Sequence, residues 1–130
     1  MIYMDSSALV KLLFDEPESE ALTQWLIDRD AVPKLTSELS VIEVIRACRR
    51  RDVRRIPEAR RLLDGLDFLP MTSSVVDQAA EIGTADLRSL DSIHLASALS
   101  VGIDLSAFVA YDGRLRLAAL AANLEVVAPT

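Results

Sequence analysis

The sequence predicts an α/β domain built on a parallel sheet with helices on both faces. Three observations carry that reading. Short apolar runs recur along the chain, amphipathic segments of helical spacing separate them, and two of the runs end in an aspartate that opens the next helix. A chain of 130 residues fits one domain over residues 1–130, and no linker, internal repeat or low-complexity stretch divides it.

Taken in order, "MIYM" (1–4) is a short strand ending at Asp5, and "SSALVKLLF" continues with helical spacing at Leu9, Leu12 and Leu13. "EPESEALTQWLID" predicts a second helix, with Pro17 in its first turn and Leu22, Trp25 and Leu26 on one face. "AVPKLT" is a weak strand. Ser37 then caps a helix that runs to about Arg50 and carries Ser40, Glu43 and Ala47 along one side. Pro57 opens a helix through Leu63, and "LDFLPM" is a strand. "SSVVDQAAEIGTAD" and "LRSLDSIHLASALSVG" are helices, the latter stopped near Gly102. "AFVAYD" (107–112) reads as a buried strand ending in Asp112, "RLRLAALAAN" as an amphipathic helix and "LEVVAP" as the last strand.

Composition narrows the functional classes. Apolar residues make up 51% of the chain, and the mean hydropathy of +0.26 is high for an acidic protein. No window approaches the roughly 18 consecutive apolar residues of a membrane span, and the start lacks the basic and small-residue signals of a secretory leader. A cytoplasmic domain with some apolar surface covered by a partner is the expectation. One cysteine, Cys48, excludes an intrachain disulfide and a multi-cysteine zinc site. One histidine, His94, makes a histidine-based triad a weak prospect. With only four glycines there is no glycine-rich phosphate loop.

The net charge of −6 is unevenly spread. Arg46 to Arg61 holds eight arginines against Asp52 and Glu58. This stretch is either a solvated helix end, favoured by the macrodipole, or a surface for phosphate.

The acids are more informative. In parallel α/β sheets ligands bind beyond the carboxyl ends of strands. Asp5 and Asp112 both occupy that position, at strand-to-helix turns. Asp91 and Glu43 lie on helices, and Glu43 is flanked by Val41, Ile42, Val44 and Ile45. Singly, each is a solvated helix acid. Together, unpaired carboxylates in an apolar cleft repel one another and lose hydration unless a cation is present. Oxygen donors alone suit a hard ion, Mg²⁺ or Mn²⁺. Ser6, Ser7 and Ser40 are short polar residues placed to orient ligands or water.

Four blocks in order, "MIYMDSSALVKLLFDEPES", "SELSVIEVIRACRRR", "LRSLDSIHLASAL" and "VAYDGRLRLAALAANLEVVAP", make the chain resemble a PIN-domain ribonuclease of the VapC toxin type. The resemblance implies a PIN-like α/β/α sandwich with a central parallel sheet, and endonucleolytic hydrolysis of RNA at an acidic Mg²⁺ or Mn²⁺ site. By motif, the four acids are Asp5, Glu43, Asp91 and Asp112. Asp5 and Asp91 are the implied direct ligands, while Glu43 and Asp112 complete the site through water or by activating the nucleophile. Arg114 touches substrate phosphate or pairs with a pocket acid, Arg49 and Arg50 are placed to hold RNA backbone, and His94 belongs to the helix packing pattern. A VapB-type antitoxin, covering an apolar groove around Leu12, Leu13, Phe14, Leu22, Trp25 and Leu26, and a homodimer within the toxin–antitoxin complex are implied as well. Core packing is the competing role for at least half of those groove residues. The main alternative is a non-catalytic binding module whose acidic pocket receives a partner's arginine. A phosphoacceptor domain fits poorly, since it expects a lysine late in the chain and the last one here is Lys34.

Overall fold

The computed structural model describes residues 1–130 as a three-layer sandwich. In chain order the elements are β1 (Ile2–Met4), α1 (Ser6–Leu13), α2 (Ser19–Ile27), β2 (Lys34–Ser37), α3 (Leu39–Arg51), α4 (Ile56–Asp64) and β3 (Asp67–Leu69). They continue with α5 (Ser73–Glu81), α6 (Ser89–Val101), β4 (Ala107–Val109), α7 (Gly113–Ala121) and β5 (Val126–Val127). All pairings are parallel and the strand order is β3-β2-β1-β4-β5. The chain winds outward from β1 in one direction, returns, and winds outward in the other. The topological switch therefore falls between β1 and β4, where such sheets open a crevice.

Period-two alternation sorts the strand side chains into two cores. Ile2 and Met4 of β1, with Ala107 and Val109 of β4, face Leu9, Leu22, Val44, Cys48 and Leu63 from α1 to α4. Tyr3 and Phe108 point the other way, to Leu95, Leu115 and Ala119 from α6 and α7. Their rings stack with centroids 5.4 Å apart. A smaller cluster of Val75, Ala79 and Ala96 fixes α5 against α6. Apolar cover on both faces of short, fully buried strands is what a parallel sheet requires.

Several expected boundaries move. Helix α2 begins at Ser19, and Pro17 sits in the preceding turn. Ser19 Oγ accepts the Glu16 N–H (2.9 Å) and donates to the Phe14 carbonyl (2.9 Å), closing that turn before the helix starts. Ser37 Oγ accepts the Leu39 N–H (3.1 Å), close to its expected capping role. Helix α5 stops at Glu81 because Ile82 is extended and Gly83 takes φ 72°. Strand β4 ends at Val109, so Asp112 lies three residues beyond it, whereas Asp5 directly follows β1. Of the six expected groove residues, Leu13 and Leu22 are buried, while Leu12, Phe14, Trp25 and Leu26 pack against the core half-buried.

Helix α6 ends at Gly102 with φ 74° and ψ −142°, a region open essentially to glycine alone. A Cβ added there would meet nothing within 4 Å, so any penalty is purely conformational. Gly102→Ala is therefore expected to destabilise the fold by about 1–3 kcal/mol, measured as a lowered urea midpoint with an unchanged m-value.

Candidate active site

Asp5 is the deepest acid, 3% exposed at the carboxyl end of β1. Its Oδ1 accepts the Ala8 N–H (3.0 Å), capping α1, and the Ser7 hydroxyl (2.7 Å). Burial pushes its carboxyl up to about 6, with Asp91 adding to the rise, while His94 and the two hydrogen bonds pull it down. Asp112, three residues past the neighbouring strand β4, repeats the helix-capping role, accepting the Leu115 N–H (3.0 Å) at the start of α7. The capping role fixes both side chains at the same edge, which is the structural content of the sequence motif.

Glu43 reaches that edge from α3, on the opposite side of the sheet from α6. Its Oε1 accepts from Ser6 Oγ and from His94 Nε2, the latter at 2.6 Å. Burial alone would raise its pKa, but the hydrogen bonds from His94 and Ser6 outweigh burial and leave it lowered. His94 is buried on α6, and its Nδ1 lies 2.7 Å from the Tyr3 hydroxyl, which also accepts the Ser37 N–H (3.2 Å). Packing is thus only part of what His94 does. It is hydrogen-bonded to a site acid, a role missed by treating it as helix packing. The available signal was its spacing three residues after Asp91, which places both on one face of α6.

Asp91 sits in the first turn of α6 with its side chain 19% exposed. Burial raises its pKa, the charge of Asp112 adds to this, and Arg88 and His94 partly offset both. Arg88 is the second residue that sequence reasoning missed. Its Nη2 donates to Asp112 Oδ2 at 3.1 Å, and its Nε stands 3.5 Å from Asp91 Oδ2, a long ion-pair contact without a hydrogen bond. Arg114 pairs with none of the four acids. It lines a separate cavity with Asp86, Leu87 and Leu117, so the expected pairing with a pocket acid is made by Arg88 instead. Two residues past the Asp112 cap, Arg114 starts from a different side of α7.

Arg49 and Arg50 are exposed near the end of α3 and make no ion pair. Arg46, Arg60 and Arg61 are likewise unpaired. Arg51, Arg54 and Arg55 pair with Glu16, Asp52 and Glu58. Arg51 also lies over the Phe14 ring at 3.9 Å. Glu43 and Arg50 are seven residues apart on one face of α3, about 10 Å along its axis. Part of the basic stretch is therefore intramolecular structure, and part is unpaired cation, with Arg49 and Arg50 in the last turn of α3 away from Glu43.

The donor set suits a hard divalent ion. Every acid offers oxygen, and Asp91 Oδ2 is buried without a hydrogen-bond partner, an atom that a cation would satisfy. No three histidine, cysteine, aspartate or glutamate side chains converge closely enough to hold one ion between them. The charge of Asp91 adds to the raised pKa of Asp5, and the charge of Asp112 adds to that of Asp91.

The PIN domain family matches residues 2–121. Ribonuclease VapC47 of Mycobacterium tuberculosis is 48% identical over 118 residues, covering 88% of this chain and 87% of that protein. Among solved structures, VapC20 of Mycobacterium tuberculosis, described as a sarcin-ricin loop cleaving toxin, superposes with a TM-score of 0.78. It is 20% identical, with 99% of this chain and all of that one covered. VapBC2 from Rickettsia felis, solved bound to a DNA fragment from their promoter, gives a TM-score of 0.70 at 12% identity, with complete coverage of both chains. With the parallel sheet, its acidic carboxyl edge and close relatives along nearly its full length, the chain belongs to the PIN domain family and, within it, to the VapC-type ribonucleases.

Proposed function

We propose that the protein is the toxin of a type II toxin–antitoxin pair, an endoribonuclease that hydrolyses RNA phosphodiesters with the help of Mg²⁺ or Mn²⁺. The observation that carries this reading is a buried Asp5, raised to about 6 with a contribution from the charge of Asp91, beside the buried Asp91 Oδ2 that accepts no hydrogen bond. Asp5 and Asp91 would hold the ion directly, and Glu43 and Asp112 would complete the site through water or by activating the nucleophile. Bound there, the ion supplies positive charge at the scissile phosphate and makes water acidic enough to attack at neutral pH. Glu43, kept ionised by His94 and Ser6, is placed to take a proton. Ribosomal or transfer RNA is the proposed substrate, supported by the name of VapC47 and by the cleavage target stated for VapC20. Arg46, Arg49 and Arg50 would track the RNA backbone.

The proposed partner is a VapB-type antitoxin seated over the half-buried Leu12, Phe14, Trp25 and Leu26 of α1 and α2, on a homodimer of this chain in the cytoplasm. No helix is long and apolar enough to cross a membrane. A second reading, the non-catalytic module that receives a partner's arginine, has one observation in its favour. Asp112 already accepts a guanidinium, that of Arg88.

Antitoxin-free protein incubated with total tRNA and rRNA separates the two readings. Discrete fragments with Mg²⁺ or Mn²⁺, absent with EDTA, are expected from the wild type. Asp5→Ala and Asp91→Ala should lose at least the ~10–100-fold typical of changes around a metal site. Folded protein that binds Mn²⁺ and cleaves neither RNA supports the binding module.

In the metal-free protein, Asp5 binds its proton more tightly folded than unfolded, where its pKa is near 3.8. Its contribution to stability is therefore full below pH 4 and is lost as the pH rises through 6, by about 3 kcal/mol at 1.36 kcal/mol per pKa unit. Urea melts in EDTA should show this decline, and Asp5→Asn should flatten it. For RNA affinity, Arg49→Ala with Arg50→Ala should reduce the slope of log K against log salt by about 1.4, at roughly 0.7 per lost phosphate contact on a single strand.

A further inference from the structure

We propose that His94 is a positioning residue for Glu43, fixing one oxygen of its carboxylate so that the other is presented to the acidic site. The inference rests on the nuclease reading above and adds to it the residue that sets the geometry of one of its acids.

Three elements converge on the imidazole. Tyr3 of β1 meets Nδ1 at 2.7 Å, Glu43 of α3 meets Nε2 at 2.6 Å, and Ser6 of α1 stands 3.0 Å from the same nitrogen. The direction of the protons follows from the donors. The Tyr3 oxygen already accepts the backbone N–H of Ser37, and the close acceptor for its own proton is His94 Nδ1. That leaves the ring proton on Nε2, where it donates to Glu43 Oε1. The chain of hydrogen bonds starts from the backbone of β2 and ends on the glutamate.

Ser6 and His94 both act on Oε1, and Oε2 makes no hydrogen bond to the protein. A glutamate on α3 would otherwise swing about its flexible stem. Here it is clamped by one residue from its own layer and one from the layer across the sheet. The arrangement is not a serine-nucleophile triad. In a triad the acid and the hydroxyl engage opposite nitrogens of the imidazole. Here Ser6 and Glu43 share Nε2, Tyr3 occupies Nδ1, and Ser6 gives its proton to the carboxylate.

The test compares two amide replacements and uses the fact that His94 is the only histidine. The amide of His94→Gln can still extend to the Nε2 position and donate to Glu43, while that of His94→Asn is too short. His94→Asn is expected to lower kcat about 10–100-fold, the usual range for a residue behind an active-site ligand, with KM little changed. His94→Gln is expected to stay closer to wild type although both lose similar thermal stability. In a Glu43→Gln background, His94→Asn should cost much less than in the wild type. Nitrogen-15 spectra of the metal-free protein supply a readout independent of cleavage. Protonated Nε2 and unprotonated Nδ1 are expected, with the Nε2 signal moving in Glu43→Gln. The proposal is overturned by an Nδ1–H ring, by wild-type kcat in His94→Asn, or by losses that follow melting temperature alone in both variants. Wild type that cleaves no RNA overturns the nuclease reading, and the spectra then decide the clasp by themselves.

Discussion

Burial of the Asp5 carboxylate at the end of β1 is the constraint around which the rest of the site is organised. A charged group at 3% exposure is tolerated only where hydrogen bonds and opposite charge replace the lost water. The chain supplies the first of these locally, through the Ser7 hydroxyl and the amide that opens α1. Opposite charge is scarcer. No lysine or arginine pairs with Asp5, and the charge of Asp91 works against it. The site therefore carries an unmet demand for positive charge, and the proposed divalent ion answers a need created by the fold itself.

The same edge joins the two helical layers. Glu43 comes from the α1–α4 side and His94 from the α5–α7 side, and they meet beyond the end of β1 because each helix begins near the carboxyl edge of the sheet. The topological switch leaves a crevice there, and the His94–Glu43 bond spans its inner end. Farther out, Arg88 bridges Asp91 and Asp112. The site is graded: Asp5 and Glu43 are held by neutral donors and Asp112 by an exposed guanidinium. An exposed ion pair contributes little to stability, so Arg88 is free to give way to a stronger cation or to substrate phosphate.

Much of this was legible in the sequence, for reasons that differ by residue. Asp5 was readable because an aspartate after an apolar run does two jobs at once, ending a strand and capping a helix, and Asp112 does the second of these, three residues past β4. Glu43 stood out because four aliphatic neighbours make a carboxylate anomalous. The two-sided core followed from the central strands β1 and β4, which are apolar at every position. The His94–Glu43 contact was not legible, since 51 residues separate the partners and nothing local to either announces the other. Arg88 was overlooked in favour of Arg114 because proximity in sequence to Asp112 is a poor guide. A cap residue faces back along its helix toward the preceding loop, and it meets the start of α6 before its own second turn. The arginine run was ambiguous by charge count alone, and only the partners Glu16, Asp52 and Glu58 divide it into paired and free members.

The spread of the acids has a consequence for how such a site would work. Because no three donors converge, the protein would not seize a divalent ion as a preformed cage does, and affinity for metal alone should be modest. Mg²⁺ keeps several waters and is commonly held by one or two carboxylates together with substrate phosphate. On the proposed reading, Asp5 and Asp91 would hold the ion, and substrate phosphate would add oxygen donors to theirs. On the same reading the unpaired cations of α3, Arg46 nearest to Glu43 in sequence, would help draw in the RNA backbone. Acidic edge and basic helix would then not be opposing features of one small domain, since the substrate phosphate would be where their two requirements meet.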